Sequence, residues 1–157
     1  MSESPALGWN GGGRHLFERL AEEVARARRH GLPLACVLFR VREAEGCDEE
    51  LRDLLAQAGT ILARRIVRGS DVVATVGSGH FGIVANASQE GAHVMAQCIA
   101  REIESLVFTL EGREVRLDVG YGISAYGCGK TPRTLLEEAR AALDIVHATH
   151  HQIRGYS

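Results

Sequence analysis

Leu16, Leu20, Val24 and Ala27 recur at helical spacing and predict an amphipathic helix over about 14–30. The glycine-rich stretch ahead of it, 1–13, reads as a flexible lead-in to one domain spanning 14–157. Gly31-Leu32-Pro33 then breaks the helix, and the short, partly β-branched apolar run 34–41 predicts a buried central strand. Over 48–67, Leu51, Leu54, Leu55, Ala58, Ile61, Leu62 and Ile66 return to helical spacing, with Asp48 placed to cap the first turn.

The pattern then shortens. Two apolar runs, 71–76 and 81–85, flank a glycine turn and predict a hairpin with Gly77-Ser78-Gly79 at its tip. Ala92, Met95, Ala96, Ile99 and Ile103 mark a third helix, and 107–110 pairs with 115–124 across Glu111-Gly112-Arg113. A last helix begins after Pro132 and carries Leu135, Leu136, Ala139, Ala142, Leu143 and Val146. This order of elements predicts an α/β layer fold related to the split βαβ arrangement, with neither an internal repeat nor a domain linker.

Composition narrows the function classes. The 157 residues are 45% hydrophobic and 24% charged, with a net charge of -2, as in an ordinary globular domain. Lys and Arg are interspersed with Asp and Glu, so the long-range positive field that draws nucleic acid is absent. No window approaches the roughly 18 apolar residues of a membrane span, and the N-terminus has no leader pattern. Cys36, Cys47, Cys98 and Cys128 form no CxxC pair and are expected as reduced thiols in a cytosolic core. The expected location is cytoplasmic, alone or as the cytosolic module of a larger protein.

The candidate chemistry lies around the first hairpin. Five residues separate Arg68-Gly69-Ser70-Asp71 from Gly77-Ser78-Gly79-His80-Phe81. This spacing resembles the RxxD motif and signature hairpin of the GGDEF family, the diguanylate cyclases that condense two GTP into cyclic di-GMP. Val119-Gly120-Tyr121-Gly122-Ile123-Ser124 is similar to the family's late strand, and 139–143 is similar to its terminal Ala-Asp-x-Ala-Leu helix. The resemblance runs from about Leu7 to the end. It implies a nucleotidyl-cyclase-like fold: a mostly antiparallel central sheet of about five or more strands, flanked by helices, on a ferredoxin-like core.

What the resemblance implies about chemistry is a loss followed by a retention. Active members hold Mg²⁺ on carboxylates for phosphoryl transfer. Here Gly79 and His80 stand where the signature acids belong, Ser78 fills the second glycine position, and Arg40 and Arg42 fall where the first strand carries its acids. No Asn follows that strand to read guanine, and His147 takes the place of a phosphate-binding Lys. The expectation is therefore no catalytic residue, no metal and no enzyme activity. Arg68 and Asp71 survive. An Arg fork suits guanine O6 and N7, and Asp accepts from guanine N1 and N2. In the family this motif is the inhibitory site for cyclic di-GMP; its additional Arg is replaced by Cys98, with Arg101 nearby. The implied function is a cyclic di-GMP receptor acting through Arg68, Asp71 and Arg101 on a partner domain or second copy. The alternatives are a nucleotide-independent interaction or dimerisation domain, in which Arg68 only ends a helix and Asp71 only starts a strand, and GTP binding without turnover.

Three other groupings have plain readings. His147, His150 and His151 have helical spacing for a metal, but solvated histidines at a helix end are commoner. Gly127-Cys128-Gly129-Lys130-Thr131 ends like a phosphate loop, yet Ser124 stands where the leading glycine belongs, and Pro132 makes it a loop into a helix. His80 has no nucleophile or orienting acid nearby in sequence and reads as a turn histidine.

Overall fold

The apolar run beginning at Leu34 becomes β1 (Ala35–Glu43), the middle strand of a five-stranded sheet. The computed structural model describes residues 11–43, 49–67, 71–77, 79–127 and 129–155. Around β1 the chain forms α1 (Gly11–His30), α2 (Glu49–Ile66), β2 (Val72–Gly77), β3 (His80–Ala85), α3 (Gln89–Glu104), β4 (Val107–Leu110), β5 (Arg113–Ala125) and α4 (Pro132–Gly155). The strand order is β2-β3-β1-β5-β4 with every pairing antiparallel. Since β3 lies antiparallel between β1 and β2, those two run parallel with a strand inserted; β3 and β5 are related in the same way across β1. The units β1-α2-β2 and β3-α3-β5 are thus split βαβ motifs, the ferredoxin-like core expected from the element order.

Alternation along β1 assigns the layers. Ala35, Val37, Phe39 and Val41 pack with Leu55 and Ala63 of α2 and Ala96, Ile99 and Ile103 of α3. Cys36 and Leu38 pack on the other side with Leu16, Leu20 and Val24 of α1 and Leu135, Ala139 and Leu143 of α4. A strand covered on both faces needs apolar residues at successive positions, which is why the run is continuous. Arg40 and Arg42 share the parity of Cys36 and Leu38, and so emerge on the α4 side.

Close approaches depend on missing side chains. A Cβ at Gly122 of β5 would run into the backbone of Ala139 and Leu143, so α4 seats on the sheet only because that position is glycine. Thr131 Oγ1 accepts from the Thr134 N–H at 3.1 Å and caps α4, with Pro132 in its first turn.

Several expectations need correction. Helix α1 begins at Gly11, inside the glycine run rather than at Arg14. On α2, Leu54 and Ile61 are 62% and 55% exposed, while Ala56, Gly59, Thr60 and Ala63 are buried. The sheet lies so close that a Cβ at Gly59 would come within 2.8 Å of the Phe81 ring, so the small residues turn inward and two large ones turn out. Strand β5 begins at Arg113, leaving a two-residue turn in which Glu111 and Gly112 have φ of 53° and 77°. Cys36 is buried, but Cys98 is exposed on α3 and is not a core thiol. Asp48, Cys47 and Cys128 lie outside the described residues.

Candidate functional site

The β2–β3 hairpin folds back on β1 with Arg40 paired opposite His80. Its ladder slips between Thr75 and Gly77, and Gly77 and Gly79 have φ of 143° and 72°, conformations that favour glycine. The Gly79 carbonyl accepts from the Val41 N–H at 2.8 Å, which ties the hairpin tip to the end of β1. His80 and Phe81 then point to opposite faces. Phe81 is fully buried and stacks on Phe39 at 4.5 Å with rings 4° apart, so it anchors the hairpin and contacts no ligand space. His80 faces Arg40, whose Nε donates to His80 Nε2 at 3.2 Å; this requires the tautomer with its proton on Nδ1. Ser78 lies outside the described residues.

Beside this pair a small cleft opens between β1, β5 and α4, lined by Arg40, Arg42, Asp118, Val119, Gly120, Leu143 and Val146. Arg42 donates from Nε and Nη2 to Asp118 Oδ2 at 3.3 and 3.2 Å. Asp144 Oδ1 lies 3.7 Å from Arg40 Nη2 and 3.4 Å from Arg140 Nε, between the two guanidinium groups. The latter contact is ionic only, because Arg140 Nε is buried and makes no hydrogen bond among the described residues. Sequence reasoning missed Asp118, Asp144 and Arg140. Their signals were an acid inside an apolar strand and an Arg/Asp pair at i, i+4, neither of which reveals that α4 brings them to β1. This donor set does not fit Mg²⁺: guanidinium groups are cationic and carry no lone pair, and both carboxylates already face arginines.

The second motif is divided. Arg68, Gly69 and Ser70 lie outside the described residues. Asp71, half-buried at the entry to β2, accepts from the Asn86 N–H at 3.0 Å, so it bonds across the hairpin. Asn86 precedes Ser88, the cap of α3, whereas Arg101 is exposed in the last turn of that 16-residue helix. Asp71 and Arg101 are therefore on the order of 20 Å apart along α3 and do not converge on one small group. Cys98 lies one turn before Arg101. Arg101 is instead near Tyr121, whose hydroxyl meets His93 Nδ1 at 3.3 Å. Burial raises the Tyr121 pKa from its usual 10.0, and the Arg101 charge offsets part of that.

The remaining groupings are structural or undescribed. Lys130 donates to the Ala125 carbonyl at 2.9 Å and pairs with Glu138 at 3.0 Å, so the loop before α4 holds itself together. His147, His150 and His151 fall on α4, and their side chains lie outside what is described. Among the described residues no helix is long and apolar enough to cross a membrane.

A family model described as the diguanylate cyclase GGDEF domain matches residues 13–152. The chain belongs to the GGDEF family. No curated protein matches it in sequence. Among solved structures, this GGDEF domain is similar to a sensory box/GGDEF family protein from Caulobacter crescentus, at 20% identity and TM-score 0.72, over 87% of this chain and 92% of that one. It is also similar to the GGDEF domain of DgcB from the same organism in complex with c-di-GMP, at 14% identity and TM-score 0.78, over 87% and 84% of the two chains. The GGDEF domain of a Pseudomonas aeruginosa protein matches at 25% identity and TM-score 0.69, over 84% and 86%.

Proposed function

We propose that this GGDEF domain has lost cyclic di-GMP synthesis and acts as a cyclic di-GMP receptor through Arg68 and Asp71. The observation that carries the loss is the Arg40–His80 pair at the hairpin, where a cation and an imidazole replace the acids that would hold Mg²⁺. Gly79 adds no donor there. The receptor reading is supported by the RxxD spacing kept in front of the hairpin and by a partly exposed Asp71 at the mouth of β2. A protein of the same fold, the DgcB domain, has been solved with c-di-GMP. Because Arg101 is remote from Asp71, the ligand has to span α3 or be completed by a second domain or copy. Binding then favours the assembled arrangement by its differential affinity for it, a population shift in a cytoplasmic module. A nucleotide-independent docking domain is the second reading, favoured by the Asp71–Asn86 bond, which gives Asp71 a role in the fold alone.

The test joins synthesis to binding. Incubation with GTP and Mg²⁺, resolved by anion-exchange chromatography, is expected to yield no cyclic di-GMP. Radiolabelled cyclic di-GMP is expected to be retained on filters by the wild type and not by Asp71→Ala. Product formation contradicts the first half of the reading, and equal retention contradicts the second.

A further inference from the structure

We infer that the open edge of β5 between Val119 and Ala125 docks an extended apolar segment of a partner protein, which adds antiparallel to β5 in line with β4. The registers define the opening. Strand β4 covers β5 only from Arg113 to Arg116, whereas β1 pairs with it from Leu117 to Ala125. Among the described residues no strand lies on the outer side of that second stretch. Three hydrogen bonds fix which way its main chain faces. The Tyr126 N–H donates to the Leu34 carbonyl at 2.8 Å, so the main-chain groups of even-numbered residues turn toward β1. Odd ones turn outward: the Val119 N–H donates to Glu104 Oε2 at 3.2 Å, and the Ala125 carbonyl accepts from Lys130 Nζ at 2.9 Å. A carboxylate closes one end and an ammonium the other, as charged side chains blunt sheet edges. Between them the N–H and C=O groups of Tyr121 and Ile123 point outward with no partner among the described residues.

The surroundings set the occupant. Only another main chain repeats a donor and an acceptor at the interval that Tyr121 and Ile123 present. Helix α3 reaches over this part of β5, where the His93 ring lies 5.7 Å from that of Tyr121, and α4 packs on the opposite face, where Ser124 Oγ donates to the Leu135 carbonyl at 2.6 Å. A strand added about 4.7–4.9 Å farther out enters between the flanks of two helices. It therefore needs small or β-branched apolar residues on both faces, by the same rule that makes β1 continuously apolar. A second copy of this domain fits less well, because its own α3 and α4 compete for that space. The charged ends set the direction. Antiparallel addition places the segment's first residue beside Lys130 and its last beside Glu104, which suits an acid at its start and a base at its end. None of these residues belongs to the Arg68–Asp71 motif, so the inference is independent of cyclic di-GMP binding.

The probe is a fluorescein-labelled peptide, Glu-Val-Thr-Val-Thr-Val-Lys, titrated with the intact domain and followed by anisotropy. Saturable binding below about 1 mM is expected, severalfold weaker when the terminal charges of the peptide are exchanged. Methylating the third and fifth peptide nitrogens, which face Ile123 and Tyr121, is expected to abolish binding, whereas methylating the second and fourth leaves it. Ile123→Pro removes an outward N–H and no bond to β1, and is expected to weaken binding about tenfold or more; if that variant does not fold, the methylated peptides decide with the wild type. In the free domain, amide hydrogen exchange is expected to be about tenfold faster or more at Tyr121 and Ile123 than at Gly120 and Gly122, and to slow at both on binding. No saturation up to about 1 mM, equal binding of the two methylated peptides, or protected Tyr121 and Ile123 amides in the free domain overturns the site. Protection that rises with protein concentration assigns the edge to a second copy and overturns the partner segment.

Discussion

Gly79 sits at a φ of 72°, where a β-carbon meets the backbone and costs about 1–2 kcal/mol. Introducing an acid there by Gly79→Glu is therefore expected to lower stability by about that amount in urea denaturation. It is not expected to generate product from GTP and Mg²⁺, since Arg40 still faces the hairpin; product from this variant would contradict the account of the site. Cys36 supplies a pH dependence of known sign. Burial raises its pKa from 9.0 to about 12, so the native state keeps a proton that the unfolded chain releases. Its contribution is full below pH about 9 and is lost above it, with a slope approaching about 1.4 kcal/mol per pH unit. Cys36→Ala is expected to flatten the alkaline fall in stability between pH 9 and 12 relative to the wild type; parallel curves would refute the assignment. The pairing of the first strand with the hairpin at Arg40 and His80 was legible in the sequence, because the glycine turn fixes the hairpin's position. Asp118, Asp144 and Arg140 were not, because only the docking of α4 on β5 makes them neighbours.

That docking is a property of elements. Strand β5 and helix α4 approach until Gly122 touches helix backbone, and backbone cannot give way as a side-chain tip can. Gly122→Ala is expected to destabilise the domain by about 3 kcal/mol, at the upper end for overpacking, and to loosen the Arg40–Asp144 contact with it. Denaturant melts of the variant measure the first, and a loss below about 0.5 kcal/mol would show that α4 can move away freely. Hydrophobic periodicity predicted all four helices and the strands, since two buried sheet faces demand apolar runs. It misassigned the inner face of α2, where Ala56, Gly59 and Ala63 pack inward while Leu54 and Ile61 do not. Periodicity counts large apolar residues, whereas close helix–sheet packing here selects small ones.

Across the whole molecule, the fold outlasts sequence similarity. At 14% identity to the DgcB domain the TM-score is 0.78, so the layered core persists through extensive substitution. At the end of β1 the core presents the guanidinium groups of Arg40 and Arg42, which on the proposed reading stand where the family's acids would be. Asp71 lies ahead of β2 at the Ala35 end of β1, the end opposite Arg40 and Arg42. Both regions can therefore be altered independently. The most direct measurement is a calorimetric titration of cyclic di-GMP into the purified domain, with Arg68→Ala and Asp71→Ala in parallel. Saturable heat in the wild type that disappears in both variants is the predicted result. A folded wild type that gives no heat up to about millimolar ligand, or variants that bind as well as it does, would contradict the receptor.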